Sequence, residues 1–411
     1  MKKNGILVIS HGHPDFDYGG GEVAAYNLYE ALRDHYPTES VTFLARIEDG
    51  EVGSIRPRRV GEYLWSHRMR DFFLFTSREK NSLQRFVEFI KFASPRVIFM
   101  HHYVHIGLEI IPLIKANLPD CRIVLTLHEM LAICNNNGQM VKTGSSALCY
   151  ESSLDDCARC FPGKSREDFW LRKHFITRHF EAVDHFVSPS HFLKDRYVTW
   201  GLPAEQIRVI ENIHPKRQPL PPRRRDRNQP NRFGYFGQIN PYKGIYLLLE
   251  ALKQMSEDDR ATVRLELNGA NIKSQTPEFQ ESFKKLVEPL VEEGVVVMRG
   301  PYARRELQHR LQSVDWVVMP SVWWENSPMI IQEALGYGRP VICPAVGGMG
   351  EKVVHEKTGL HVPSSNQYYW TEMLRTAAQN MTGWNRLYEQ LADYGVIAHD
   401  DALAAHIELV G

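Results

Sequence analysis

Residues 315–345, DWVVMPSVWWENSPMIIQEALGYGRPVICPA, decide how this chain is read. An apolar run (315–321) leads into the loop WWEN. An apolar-faced stretch follows to about 336–338, and a second apolar run (340–345) closes the segment. Short apolar runs bounded by turn residues read as buried strands, and the stretch between them as a helix. Ser327 is the expected N-cap and Pro328 the first helical residue, where a missing N–H costs nothing. Glu325 then lies in the loop at a strand's carboxyl end, and Glu333 lies between one and two turns inside the helix.

The same alternation extends in both directions. Upstream, the expected strands are 5–10, 41–46, 96–102, 122–129, 185–190 and 207–213, with a helix at 22–35. Downstream they are 232–237, 263–269, 295–300, 315–321 and 340–345. Between the two sets lies HPKRQPLPPRRRDRNQPNR (214–232), rich in Pro and Arg and without hydrophobic period, which reads as a linker. Strand–helix alternation on both sides of a linker predicts an α/β chain with two doubly wound, Rossmann-like parallel sheets. No sequence repeat relates the halves. Ligands in such sheets sit beyond the carboxyl ends of the strands, so the expected site is a cleft that both domains face. The expected division is an N-terminal acceptor-side domain (1–215), a linker (216–231) and a C-terminal donor-binding domain (232–384). A last helical segment (385–411) is expected to cross back onto the first domain.

The chain has 411 residues, of which 43% are hydrophobic and 24% charged, as in soluble globular proteins. Forty-nine basic residues balance forty-nine acidic ones, which argues against a dedicated nucleic-acid binder. MKKNGILVIS begins like a signal peptide, but its apolar run is too short and lacks a cleavage site. No stretch approaches the ~20 apolar residues that span a bilayer. A cytoplasmic protein is expected, with peripheral contact at the inner face of a membrane.

A helix N-terminus attracts phosphate, because its free N–H groups and the macrodipole favour anions. A carboxylate beside such an anion is better suited to accept hydrogen bonds from sugar hydroxyls. The stretch 321–342 therefore suggests a nucleotide sugar. A glycosidase also uses two carboxylates, but across one bond at ~5–10 Å. Eight residues at helical rise span ~12 Å, which fits two glutamates on two different sugars better.

Glu325 and Glu333 match the E-x7-E motif of family 4 of the retaining glycosyltransferases, which have the GT-B fold, and the chain resembles that family motif by motif over nearly its whole length. The resemblance implies that Glu333 holds the nucleotide's ribose. It places Glu325 and the following backbone, Asn326, Ser327, Pro328 and Met329, by the transferred sugar and diphosphate. FGQINPYKG (236–244) is similar to the family's G-R-x-x-x-x-K-G motif, whose cations clamp the diphosphate. Lys243 is present, but Gln238 stands at the arginine position and carries no charge. HGHPDFDYGGGE (11–22) resembles the donor loop, with Gly19, Gly20 and Gly21 letting backbone approach a diphosphate. Within it Asp15, Phe16 and Asp17 form a D-x-D, read as an incidental acidic turn rather than a metal site. His128 in TLHEML is similar to the family's active-site histidine, and His101, His102 and His105 are less specific. Gly269 and the loop 299–302 stand at strand ends where the family holds the nucleoside. The loop 347–351 reads equally as a donor-side segment or a tight turn.

Cys134, Cys149, Cys157 and Cys160 fall in an apparent insertion (about 130–165) with spacing C-x14-C-x7-C-x2-C. They could hold a structural zinc, or be four unpaired thiols, the reading favoured here because only one C-x-x-C is present. Two basic-aromatic regions, 56–75 and 169–180, could rest on an anionic membrane. An ordinary amphipathic helix explains the second equally well.

The resemblance implies transfer of a sugar, with retention, from a UDP- or GDP-sugar to a hydroxyl of a glycan or lipid-linked acceptor. No catalytic metal is implied. The setting expected is cell-surface polysaccharide or lipopolysaccharide synthesis. His128, Glu325 and Lys243 are the expected catalytic groups. The alternatives are a GT-B epimerase or phosphorylase, and a non-catalytic partner subunit, which Gln238 favours.

Overall fold

The computed structural model describes residues 5–16, 19–36, 41–145, 147–223, 229–363 and 366–411. The chain divides into two compact units, one of residues 1–215 and 399–411, the other of residues 216–398.

In the first unit the described residues form an eight-stranded sheet. Its strands are β1 (Gly5–Ser10), β2 (Val41–Ile47), β3 (Ile55–Arg59), β4 (Glu62–Ser66), β5 (Pro95–His101), β6 (Arg122–Thr126), β7 (His185–Ser188) and β8 (Ile207–Val209). They are ordered β3-β4-β2-β1-β5-β6-β7-β8. The strands are parallel except that β3 runs antiparallel to β4. Ile6, Val8, Phe43 and Phe99 are buried in one cluster with Leu28 and Leu32 of the helix Gly20–His35. Ala402, Leu409 and Val410 of the last helix, Tyr394–Val410, join the same cluster.

The second unit holds a six-stranded, fully parallel sheet among its described residues. Its strands are β9 (Asn231–Gln238), β10 (Val263–Ala270), β11 (Val296–Met298), β12 (Trp316–Val318), β13 (Val341–Pro344) and β14 (Gly359–Val362). The order is β11-β10-β9-β12-β13-β14. Its strands are mostly buried, and β10 carries the polar Arg264, Glu266 and Asn268 along one face.

The order of strands reverses beside β1 in the first unit, where β2 lies on one side and β5 on the other. In the second unit it reverses beside β9, between β10 and β12. Such switch points open a crevice at the carboxyl ends of the strands, because the flanking connections leave toward opposite faces. The loops following β1, β5 and β6, and those following β9 and β12, are therefore the places where each unit can build a site.

The structure departs from the sequence reading at four places. The region 56–75 begins as the β3–β4 hairpin, turned by Val60 and Gly61, with Gly61 at φ +80. Pro57 is tolerated because β3 is an edge strand that needs no further donor. The helix after WWEN begins at Met329, one residue later than expected. Pro328 keeps an extended ψ of 116 and takes the N-cap position itself, without a side-chain oxygen of its own to cap the helix. Residues 216–223, read as linker, pack into the second unit. Leu220 is buried there, and the buried Arg339 donates to the carbonyls of Leu220 and Pro221, both at 3.0 Å. The segment 385–398 stays with the second unit, where Leu387 and Leu391 are buried.

Two glycines fix the loops at the second switch point. A Cβ on Gly244, at φ +69, would lie 1.9 Å from the Pro320 carbonyl oxygen, and one on Gly348 would lie 1.4 Å from that of Asn326. Neither overlap can be relieved by turning a side chain. We expect Gly244→Ala and Gly348→Ala each to cost about 2–3 kcal/mol in denaturant unfolding. Gly144→Ala, where the added carbon meets nothing within 4 Å, should change stability by less than about 0.5 kcal/mol.

Candidate active site

The second unit places Lys243 and Glu325 together at its switch point. Lys243 ends the short 3₁₀ turn Pro241–Lys243, whose first backbone N–H groups are capped by the Asn240 carboxamide oxygen at 3.1 Å. Gly244 then lets this turn sit against Pro320, and the Val322 N–H donates to the Tyr242 carbonyl at 3.0 Å. The two loops so joined bring the Lys243 Nζ to 2.6 Å from Glu325 Oε1. The same oxygen accepts from Ser321 Oγ and Trp323 Nε1, both at 2.8 Å. Glu325 is 7% exposed. A carboxylate so removed from water needs a cation and several donors, and it has one cation and two. Its carbonyl accepts from the Gly348 N–H at 2.7 Å, so the loop 347–351 packs on this glutamate's own backbone.

Glu333 is not part of that pair. It lies on the helix Met329–Gly336, also 7% exposed, with Arg217 at 3.2 Å. Burial raises its carboxyl above the ordinary range, while Arg217 and Arg304 pull it back. Gln238 ends β9 with an exposed side chain, 3.4 Å from the Asn240 amide. Gly269 packs against the Gly237 carbonyl, where a Cβ would sit at 2.7 Å. Arg299, in the loop expected near the nucleoside, makes a two-armed contact to the fully buried Glu266 at 3.0 and 3.2 Å.

The first unit gathers histidines and carboxylates at its own switch point. His11 follows β1, His101 and His102 follow or end β5, and His128 follows β6. His128 Nε2 lies 3.1 Å from His101 Nδ1. Burial lowers the His128 imidazole to about 3, helped by the neighbouring His102 and His11 rings. His128 is therefore neutral at pH 7. Gly21 makes room for both rings: a Cβ there would meet His11 at 3.0 Å and His128 at 3.7 Å. Gly19 is the N-cap of the helix Gly20–His35, with a β-region backbone.

Two histidine–carboxylate contacts here were not legible beforehand. His11 Nε2 is 2.9 Å from Glu22 Oε1. Burial alone would lower His11, but Glu22 outweighs it and the net direction is up. His102 sits at φ +104, rare for a residue with a side chain. Its Nδ1 accepts from the N–H groups of Tyr103 and Val104, both at 3.0 Å. The proton is thereby fixed on Nε2, 2.5 Å from Glu129.

Asp15 of the D-x-D is ion-paired with Arg58 and Arg59, and these guanidinium groups hold its carboxyl below the ordinary range against the cost of burial. Asp17 lies outside the described residues. The four cysteines of the insertion are free thiols, and burial raises Cys157 to about 11. Among the described residues no group of three or more His, Cys, Asp or Glu side chains is placed to hold a metal ion. Among those residues, too, no helix is long and apolar enough to cross a membrane.

Comparison with known proteins agrees with this fold. Residues 18–213 match the model for "Glycosyltransferase Family 4", and residues 217–395 the model for "Glycosyl transferases group 1". Across 98% of both chains the fold matches that of HepE from Anabaena, solved with UDP and glucose, at a TM-score of 0.64 and 15% identity. Sucrose-phosphate synthase from Thermosynechococcus elongatus matches at 0.69 and 18% identity, over 99% of this chain and 98% of that one. The chain has the GT-B architecture of two parallel-sheet α/β domains, the first matching the family 4 glycosyltransferase model and the second the group 1 model. In sequence, 184 residues are 31% identical to the lipopolysaccharide 1,2-N-acetylglucosaminetransferase of Salmonella typhimurium, covering 43% of this chain and 48% of that protein. The chain thus spans about half the length of this curated relative.

Two measurements probe the site's electrostatics. Arg217→Met should destabilise the protein by about 3 kcal/mol in urea unfolding, because it strands the buried Glu333. The double variant Arg217→Met with Glu333→Gln should recover most of that loss. His67 and His406 are buried and lowered by that burial to about 4, so the unfolded chain binds more protons than the fold below pH 6.5. Their stabilising contribution is complete above 6.5 and is lost as pH falls toward 4. The calorimetric melting temperature should therefore drop between pH 7 and pH 4.5, and less so in a His67→Asn variant.

Proposed function

We propose that the protein is a retaining glycosyltransferase that moves a hexosyl-type sugar from a nucleotide-diphosphate donor to a hydroxyl of a glycan or lipid-linked acceptor. The proposed setting is cell-surface polysaccharide or lipopolysaccharide synthesis, where the Salmonella relative acts by its name. The observation that carries the reading is the contact of Lys243 with Glu325 at the switch point of the second unit. A cation and a carboxylate in contact there are the two groups needed to steady a departing diphosphate and to grip sugar hydroxyls.

In this reading Lys243 gives up part of its contact with Glu325 to the diphosphate. The start of the helix Met329–Gly336 offers N–H groups to the same anion. Asn326, Ser327, Pro328 and Met329 line that approach. Glu333, oriented by Arg217, takes the ribose hydroxyls. His128, neutral and able to donate or accept one hydrogen bond, orients the transferred sugar, and the Gly19–Gly21 backbone lies beside the donor. Catalysis then rests on positioning and on leaving-group stabilisation rather than on a charged base. The UDP complexes of HepE favour a uridine donor as the first to test.

Lys243→Ala should lower kcat for transfer by roughly 10²-fold or more, as removal of a donor to developing charge does. Glu333→Ala should weaken nucleotide-sugar binding, read by loss of the thermal shift the donor produces. Full turnover in Lys243→Ala would sink the phosphate assignment. The exposed, uncharged Gln238 favours a second reading, a partner subunit without transfer activity. A nucleotide sugar that binds but is never consumed with any lipid-linked or glycan acceptor would support it.

A further inference from the structure

The first unit carries a hollow that the proposed reaction does not use. It has a volume of about 720 Å³, within the ~300–1,000 Å³ of small-ligand sites. The loop after β2 and the start of β3 form one wall, and the helix Lys80–Ala93 the other. Tyr63, Asn81, Gln84, Arg85, Glu88 and Phe92 line it.

The walls are firmly set. The Gly53 N–H donates to the Ser66 carbonyl at 2.7 Å, and the Ser66 N–H donates to the Ser54 carbonyl at 2.9 Å. Gly53, at φ +95, lies so close to the helix that a Cβ would sit 3.2 Å from the Ser82 Cα. Tyr63 is held edge-on by Phe89 at 5.0 Å between ring centroids. Glu88 is bracketed by Arg85 at 3.0 Å and Gln84 at 3.4 Å.

The lining selects a ligand class. Two carboxamides, a guanidinium and two carboxylates offer donors and acceptors, as hydroxyl groups require. Tyr63 and Phe92 offer ring surface to the C–H face of a sugar. Phe92 is 75% exposed, a cost to the free protein that stacking would offset. Glu51 and Glu88 outnumber Arg85 among the charged lining residues, so phosphate headgroups are disfavoured. The lining contains no histidine or cysteine, which suits binding rather than chemistry.

Its position selects a role. A second hollow, of about 580 Å³, is lined by His11, Glu22, Arg46 and His105 at the first unit's switch point, together with Glu48, Asp49 and Arg56. Glu51 and Ile55 face the first hollow. One short stretch, residues 48–56, therefore walls both, and a chain of sugars leaving the switch point reaches the outer hollow by crossing one loop.

We infer that the outer hollow is a carbohydrate subsite that holds acceptor sugars remote from the reacting hydroxyl. Its role in acceptor binding rests on the transferase reading. The test compares wild type with the surface variant Asn81→Leu/Gln84→Leu on an array of bacterial core and O-chain oligosaccharides. A thermal-shift screen of nucleotide sugars is run on both proteins. The inference expects wild type to retain oligosaccharides of three or more sugars and the variant to lose about tenfold in affinity, the worth of one or two hydrogen bonds. The nucleotide-sugar shift should be equal in the two. No retained glycan, or equal retention by both proteins, overturns the subsite while leaving the donor reading intact. Binding of phosphatidylglycerol vesicles that is lost in the variant overturns it in favour of a headgroup site. Absence of any nucleotide-sugar shift in either protein counts against the transferase reading instead.

Discussion

A carboxylate shut away from water is costly unless its charge is answered, and Glu325 sets much of the second unit's local design. Its Oε1 atom takes Lys243, Ser321 and Trp323 at once. Each partner has to be delivered by backbone. Lys243 arrives because Gly244 allows the turn after β9 to lie on Pro320. The glutamate's own carbonyl is held by Gly348, where no side chain fits beside Asn326. Removing any of these pieces leaves a charge with fewer partners in low dielectric, where the penalty is several kcal/mol. Close backbone packing at the switch point is thus the condition for keeping a charged pair there at all.

Much of this was legible because the strands are short, apolar and regularly bounded. β1, β5, β9 and β10 stand within a residue or two of their expected bounds, since a buried strand leaves an apolar-rich run bounded by polar or turn residues. The β3–β4 hairpin was not legible. Arg56, Pro57, Arg58 and Arg59 hide an edge strand whose outward face is solvated, and only the pairing with β4 makes it a strand. β14 escaped for the same reason: it is four residues at a sheet edge. The helix start was misplaced by one residue because Pro328 can serve as first turn or as cap, and only its ψ decides.

In the site, residue types were readable but partners were not. Nothing in the sequence ties Arg217 to Glu333, 116 positions away, because the arginine sits in a Pro- and Arg-rich stretch with no period. The packing of Leu220 and the grip of Arg339 on the chain beside it give that stretch its place. The pairing of His102 with Glu129 was equally hidden. Its only local trace is a backbone at φ +104, which no sequence pattern reports.

The two switch points solve opposite electrostatic problems. In the second unit both carboxylates are matched by cations, Glu325 by Lys243 and Glu333 by Arg217, so each buried charge there is answered by its opposite. In the first unit His101, His102 and His128 are each lowered by burial and remain neutral at physiological pH. A neutral imidazole can orient a hydroxyl without attracting an anion.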